Sequence, residues 1–183
     1  MTDLESMLLV GNRIPRDFFI TTGHGESDIT VHAGSYHLAL KNAGVERYNH
    51  MKYSSILPAI AREVAKPGDY EHGAVLETIA AVANAEQGQL ATAGIIYAWL
   101  QDRKTKRKHG GLVCEYDGKV SPEIAKQSLE ASLEELYRNG FEKKFILGEH
   151  RLFVESFVPQ KKYGTAVVIM GFLNYVVPVL NSE

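Results

Sequence analysis

The chain has 183 residues, 45% of them apolar and 23% charged, which is enough for one well-buried core and rules out a disordered or membrane-embedded class. A formal charge of −2 supplies no overall field for nucleic acid or anionic lipid, so neither is expected as a partner. The single cysteine excludes an internal disulfide framework and suits a reducing cytosol, and no run of about 18 apolar residues marks a membrane span.

Residues 1–5 are acidic and the apolar run 7–10 is short, so no secretory signal is expected and the protein reads as cytoplasmic. Residues 17–22 are rich in β-branched and aromatic side chains and predict a strand. Gly23, Gly25, Glu26, Ser27 and Asp28 then indicate a loop. Its amides could cradle phosphate, but the two acids would repel an anion and favour a cation. Ser35 is placed to cap a short helix through Asn42, with Tyr36, Ala39, Leu40 and Ala43 on one face and Gly44 ending it. Residues 47–53 predict a strand leading to the pair Ser54-Ser55. Pro58 comes next, with a helical turn over 60–64.

Beyond the turn at 66–69 lie the most apolar stretches. Residues 72–85 predict a strand, with 91–101 as its partner. The cationic run 103–109 reads as a solvated hairpin loop rather than a binding patch. Residues 110–116 predict a further strand, closed by the turn pair Asp117-Gly118. Ser121 as cap, Pro122 at the first position and Glu123 in the first turn open the clearest helix. Ile124, Ser128, Leu129, Ser132, Leu133 and Leu136 form its stripe, and Asn139-Gly140 stop it. Residues 149–158 alternate as a strand, and 163–173 form an apolar run suited to a buried one. The expected class is α+β in one domain, with helices covering the outer faces of packed antiparallel sheets.

The seven histidines are scattered, with no His-x-x-x-His spacing and no cysteine pair, so no metal is expected. Walker, dinucleotide and Gly-x-Ser-x-Gly patterns are missing from the sequence. On a strand, Cys114 shares a face with Leu112 and Tyr116 and reads as a buried apolar thiol, not a nucleophile. Glu115 ends an apolar strand, where a carboxylate is costly unless paired or exposed. It reads either as an outward surface acid or as a carboxyl whose pKa burial raises until it can donate a proton near neutrality. Asn49 and Ser54-Ser55, taken singly, are ordinary strand-end and turn residues.

Together these residues resemble the pyruvoyl-dependent arginine decarboxylases. Asn49 and then Tyr53-Ser54-Ser55-Ile56-Leu57-Pro58 are similar to that family's processing site, and residues 72–77 are similar to the family segment after that site. Gly110 through Gly118 matches the strand carrying the family's catalytic glutamate, at Glu115. Residues 25–28 and 163–174 fit its opening loop and closing strand, so the resemblance runs from about Gly11 to Asn174.

The resemblance implies an αββα sandwich assembled as homotrimers, with active sites between adjacent subunits and a small-molecule amino-acid substrate. It also implies scission between Ser54 and Ser55 into chains 1–54 and 55–183, Ser55 becoming a covalent pyruvoyl group. Ser55 Oγ can reach its own preceding carbonyl because an N-to-O acyl shift passes through a five-membered ring; elimination to dehydroalanine and loss of ammonia then leave the ketone. In the family, the asparagine at the place of Asn49 assists this step. The ketone forms a Schiff base with the substrate's α-amine and accepts the electrons left when CO₂ departs, and Glu115 returns the proton. Arginine would give agmatine. One position departs from the pattern: His37 stands where the family usually carries an aspartate for the substrate guanidinium, and imidazole cannot supply a bidentate carboxylate. Glu26 or Asp28 is the candidate replacement. The alternatives are a decarboxylase for a different amino acid and a trimeric homologue that keeps the fold without catalysis.

Overall fold

The computed structural model describes residues 10–180; the acidic start and the apolar residues 7–9 lie outside the described residues. Two sheets stack face to face. The five-stranded sheet has the order β3(Asn49–Lys52), β6(Val75–Glu86), β10(Tyr163–Phe172), β2(Asp17–Ser27), β5(Arg62–Glu63). The four-stranded sheet runs β4(Ile56–Pro58), β8(Lys108–Gly118), β7(Ala91–Asp102), β9(Phe145–Phe157). A third, two-stranded ribbon pairs β1(Ile14–Pro15) with β11(Tyr175–Val176). Pairing is antiparallel except for β3 with β6 and β2 with β5.

Three apolar layers hold these parts. Between the sheets, Phe18, Ile79, Ile95, Tyr97, Val113, Val168 and Phe172 are buried in one cluster. Helix α1(His37–Ala43) covers the outer face of the larger sheet through Ala39, Leu40 and Ala43 against Phe19, Leu76 and Val167. Helix α2(Pro122–Gly140) covers the smaller sheet through Leu129 and Leu133 against Ile96, Ala98 and Leu112. The mixed α+β expectation holds. Ser121 caps α2 by accepting from Ile124 N, as its pattern predicts, but only Ala125, Leu129 and Leu133 of the helix are buried. Ile124 and Leu136 are exposed because the stripe that meets the sheet is narrower than the apolar pattern.

Other expectations need correction. Gly23 to Ser27 is strand, not loop. A Cβ on Gly23 would meet Ala39 O at 2.5 Å, and one on Gly25 would meet Ala39 N at 2.4 Å, so these glycines admit α1 against β2. Ser35 does not cap a helix: a π-helical turn Val31–Tyr36 precedes α1, and Ser35 Oγ is buried 2.8 Å from Thr165 Oγ1. Gly44 ends α1 with φ +67°, as expected. β6 and β7 are not partners; each is an interior strand of a different sheet, β7 buried on both faces and β6 along its inter-sheet face. Residues 62–63 are strand rather than helical turn, and Asp117-Gly118 continue β8. The cationic run does close the β7–β8 hairpin. Among the described residues no helix is long and apolar enough to cross a membrane, and no group of three or more His, Cys, Asp or Glu could hold a metal ion.

Candidate active site

β3 is an edge strand of the larger sheet and β4 an edge strand of the smaller one, so the chain must cross between the layers at Tyr53 to Ser55. Both ends of the crossing are tied down. Tyr53 N donates to Thr78 O on β6 (2.7 Å), and Val113 N on β8 donates to Ser55 O (3.2 Å). Between these ties Ile56 N donates to Ser54 O at 2.9 Å, closing a three-residue turn around Ser55. That donor sits on the oxygen of the one carbonyl that the Ser55 hydroxyl can reach through a five-membered ring.

β8 places the partner of that hydroxyl. Val113 and Glu115 face the inter-sheet side of the strand, while Leu112, Cys114 and Tyr116 pack toward α2, as alternation predicts. Burial and the Glu115 charge push the Cys114 thiol up to about 11, which leaves it un-ionised and unreactive. Ser55 Oγ donates to Glu115 Oε2 at 2.6 Å, and both residues are half-buried. A carboxylate bonded to this hydroxyl is a base for its proton, and the arrangement suits nucleophilic attack by Ser55.

The remaining candidates separate into two groups. Asn49 begins β3, and its Nδ2 donates to Gly73 O (2.7 Å), holding the turn that enters β6. Its amide is therefore engaged away from Ser54, and the donor at the Ser54 carbonyl is the Ile56 backbone amide instead. No side-chain motif could have announced that donor, since every residue but proline carries one. Asn49 and His37 share a cleft of about 320 Å³ lined also by His32, Tyr36, Leu40, Tyr48 and His50. Its polar groups are three imidazoles, two phenols and an amide; it contains no carboxylate. Burial lowers the His50 pKa, and its Nε2 lies 3.0 Å from Val45 O.

Glu26 and Asp28 lie elsewhere. Glu26 Oε2 accepts from Gln160 N (2.7 Å) and Asp28 Oδ1 from Lys162 N (3.2 Å), at the turn before β10. Glu26 is level with Ala85 on β6, whereas the Ser54 crossing is tied at Thr78. At roughly 3.3 Å per residue those levels are about 23 Å apart along the strand. Within one chain neither acid meets Ser55.

Known proteins bear on this geometry. The family model described as pyruvoyl-dependent arginine decarboxylase matches residues 17–177. Pyruvoyl-dependent arginine decarboxylase AaxB of Chlamydia muridarum is 32% identical over 187 residues, covering 90% of this chain and 94% of that protein. The pyruvoyl-dependent arginine decarboxylase of Thermococcus kodakarensis is 24% identical over 161 residues, covering 88% and 97%. A solved pyruvoyl-dependent histidine decarboxylase superposes with a TM-score of 0.39 at 12% identity over 74% of this chain and 61% of that one, too loosely to argue from.

Proposed function

The chain belongs to the pyruvoyl-dependent arginine decarboxylase family, and from that premise we propose that it cleaves itself at Ser54-Ser55 and decarboxylates L-arginine to agmatine and CO₂. The observation that carries the reading is the 2.6 Å bond from Ser55 Oγ to Glu115 Oε2, made beside a Ser54 carbonyl that already accepts a backbone amide. In processing, Glu115 takes the Ser55 hydroxyl proton as Oγ attacks the Ser54 carbonyl, and Ile56 N–H stabilises the oxyanion. Scission would yield chains 1–54 and 55–183. Asn49 contributes by fixing the start of β3 and hence the approach to the junction.

The residues present fit a ketone at position 55. That side chain is aimed at a carboxylate rather than into the apolar core, and it lies on an edge that an amine can approach. When formed, the pyruvoyl group supplies an electron sink for the carbanion left by departing CO₂. Glu115 then holds the proton that the substrate α-carbon regains.

Assembly as a homotrimer is part of the reading. Met51, Val75 and Ile56 are exposed on or beside edge strands β3 and β4, flanking the junction, which supports self-association there. A neighbouring subunit would also offer the only route by which Glu26 or Asp28 reaches a Ser55, since their own chain keeps them apart. A reducing cytoplasm is the proposed setting, from the lone Cys114.

One observation favours a second reading for the substrate. The cleft shared by His37 and Asn49 offers a guanidinium three imidazoles and no carboxylate, which suits an amino acid with a neutral or anionic tail better than arginine. Intact mass of the purified protein under denaturing conditions, combined with CO₂ release from a panel of amino acids, tests both steps. A stable single chain would remove the processing claim, and release from another amino acid far above arginine would replace the substrate.

A further inference from the structure

Glu77 is buried to 1% exposure in β6, where Arg13 meets its Oε1 and no hydrogen-bond donor among the described residues meets its Oε2. Among the described residues its one counter-charge is Arg13, which forms an ion pair with it from the segment that leads into β1. Burying a carboxylate in this way is expensive, so an unsatisfied one calls for a reason. Its surroundings point to the junction. Glu77 and Tyr53 face the inter-sheet layer, and Tyr53 is tied to Thr78, the residue after Glu77. The Arg13 guanidinium carbon lies 5.1 Å from the centre of the Tyr175 ring. Burial and the neighbouring Tyr53 hydroxyl both raise the Tyr175 pKa. β1 itself packs against β4, which begins one residue after Ser55. Arg13 therefore stands next to the cleavage segment, 55% exposed, with guanidinium N–H groups beyond the one that meets Glu77.

Scission creates a charge at this place. Ser55 Oγ displaces the Ser55 nitrogen from the Ser54 carbonyl, giving an ester and a free α-amine. Loss of the Ser55 α-proton then breaks the Cβ–Oγ bond, leaving a carboxylate on Ser54 and dehydroalanine at 55; water enters there as ammonia leaves. The leaving group of the elimination is thus the Ser54 carboxylate, formed at an exposed residue whose neighbour Ser55 is half-buried.

We propose that Arg13 is the cation that receives the Ser54 carboxylate as it leaves, and that Glu77 is the positioning residue that holds Arg13 against Tyr175 for that purpose. This rests on the self-processing reading. Before scission Arg13 balances Glu77; during scission its remaining donors stabilise the developing charge, so the elimination is the step it accelerates.

The test tracks full-length wild type, Arg13→Gln, Arg13→Lys and Glu77→Gln by denaturing intact mass, with and without hydroxylamine, which splits esters and spares amides. Arg13→Gln is expected to form two chains roughly 100-fold more slowly and to accumulate a full-length species that hydroxylamine cuts between 54 and 55. Arg13→Lys keeps the charge and regains much of that rate. Glu77→Gln preserves shape while removing a buried charge, so it folds even if Arg13→Gln does not, and it accumulates the same ester. Wild-type processing rates in Arg13→Gln or Glu77→Gln overturn the proposal. So does a stall whose full-length chain resists hydroxylamine, because the block would then precede the ester. A wild-type chain that never cleaves and carries no ester refutes self-processing itself, a result distinct from either.

Discussion

Ser55 Oγ and Glu115 Oε2 meet at 2.6 Å across 60 residues of sequence, one at a crossing between two sheets and the other within a central strand. In the proposed reaction one carboxylate thus faces the serine that attacks the chain and, afterwards, the position of the ketone. That reading couples processing and catalysis through a single side chain.

The first consequence concerns maturation. Ser55→Ala should stay a single chain of 183 residues, having no nucleophile. Ser54→Ala should still cleave, because position 54 supplies only its carbonyl. Denaturing mass spectra of freshly purified and aged protein read both. A cleaved Ser55→Ala chain would show that another group attacks.

Glu115→Gln removes the proton acceptor without changing the shape of the site. Cleavage should slow, and the fraction that does mature should turn over poorly, each by about 100- to 10,000-fold. Asn49→Ala should slow cleavage less than Glu115→Gln, since its amide is bonded to Gly73 O rather than to the junction. Timed mass spectra and CO₂ release from the cleaved fraction separate the two effects. Either rate within a few-fold of wild type would clear Glu115 of that step.

The proposed substrate is tested at His37. If arginine binds in the cleft of about 320 Å³, His37→Asp should raise kcat/KM for arginine, by supplying the missing carboxylate. Should Glu26 or Asp28 serve from a neighbouring subunit, neutralising the acid concerned should raise KM steeply, by a loss of about 2–5 kcal/mol. Steady-state kinetics on arginine and on amino acids with neutral and acidic tails distinguish these cases. Arginine as best substrate, indifferent to all three positions, would remove this account of the guanidinium.

Asp17 sets an acid limit on stability. Arg62 Nε donates to its Oδ1 (2.6 Å) and Asn174 Nδ2 to its Oδ2 (2.7 Å), and these bonds lower its pKa from 3.8 to about 2. A depressed pKa means stability that is fully present above 3.8 and lost as pH falls toward about 2. Asp17→Asn should melt lower at neutral pH and lose less on acidification across that window. Thermal melts from pH 7 to pH 2 check this, and parallel curves for the two proteins would remove Asp17 from the account.

Much of the architecture comes from local signals. The cap Ser121 with Pro122 starts α2, Gly44 stops α1, and the cationic run closes a hairpin, because each is decided by interactions within a few residues. The order of the motifs around Ser55 and Glu115 also identifies the family from sequence, since chemistry restricts residue type at those places. Where local signals mislead, a distant partner is responsible. Gly23 and Gly25 read as a loop, yet they are strand because α1 needs their missing Cβ atoms.

The sequence by itself singled out Ser55 and Glu115 as candidates and located both α-helices and most of the long strands. Only the tertiary structure decided that β6 and β7 belong to different sheets, that the Ile56 amide rather than the Asn49 side chain meets the Ser54 carbonyl, that Glu77 is a buried charge held by Arg13, and that Glu26 and Asp28 lie far from Ser55 in their own chain. Residue chemistry and local propensity are written position by position. Strand partners, backbone donors and burial arise from which distant segments share a layer, a choice made by how all the apolar faces are covered at once.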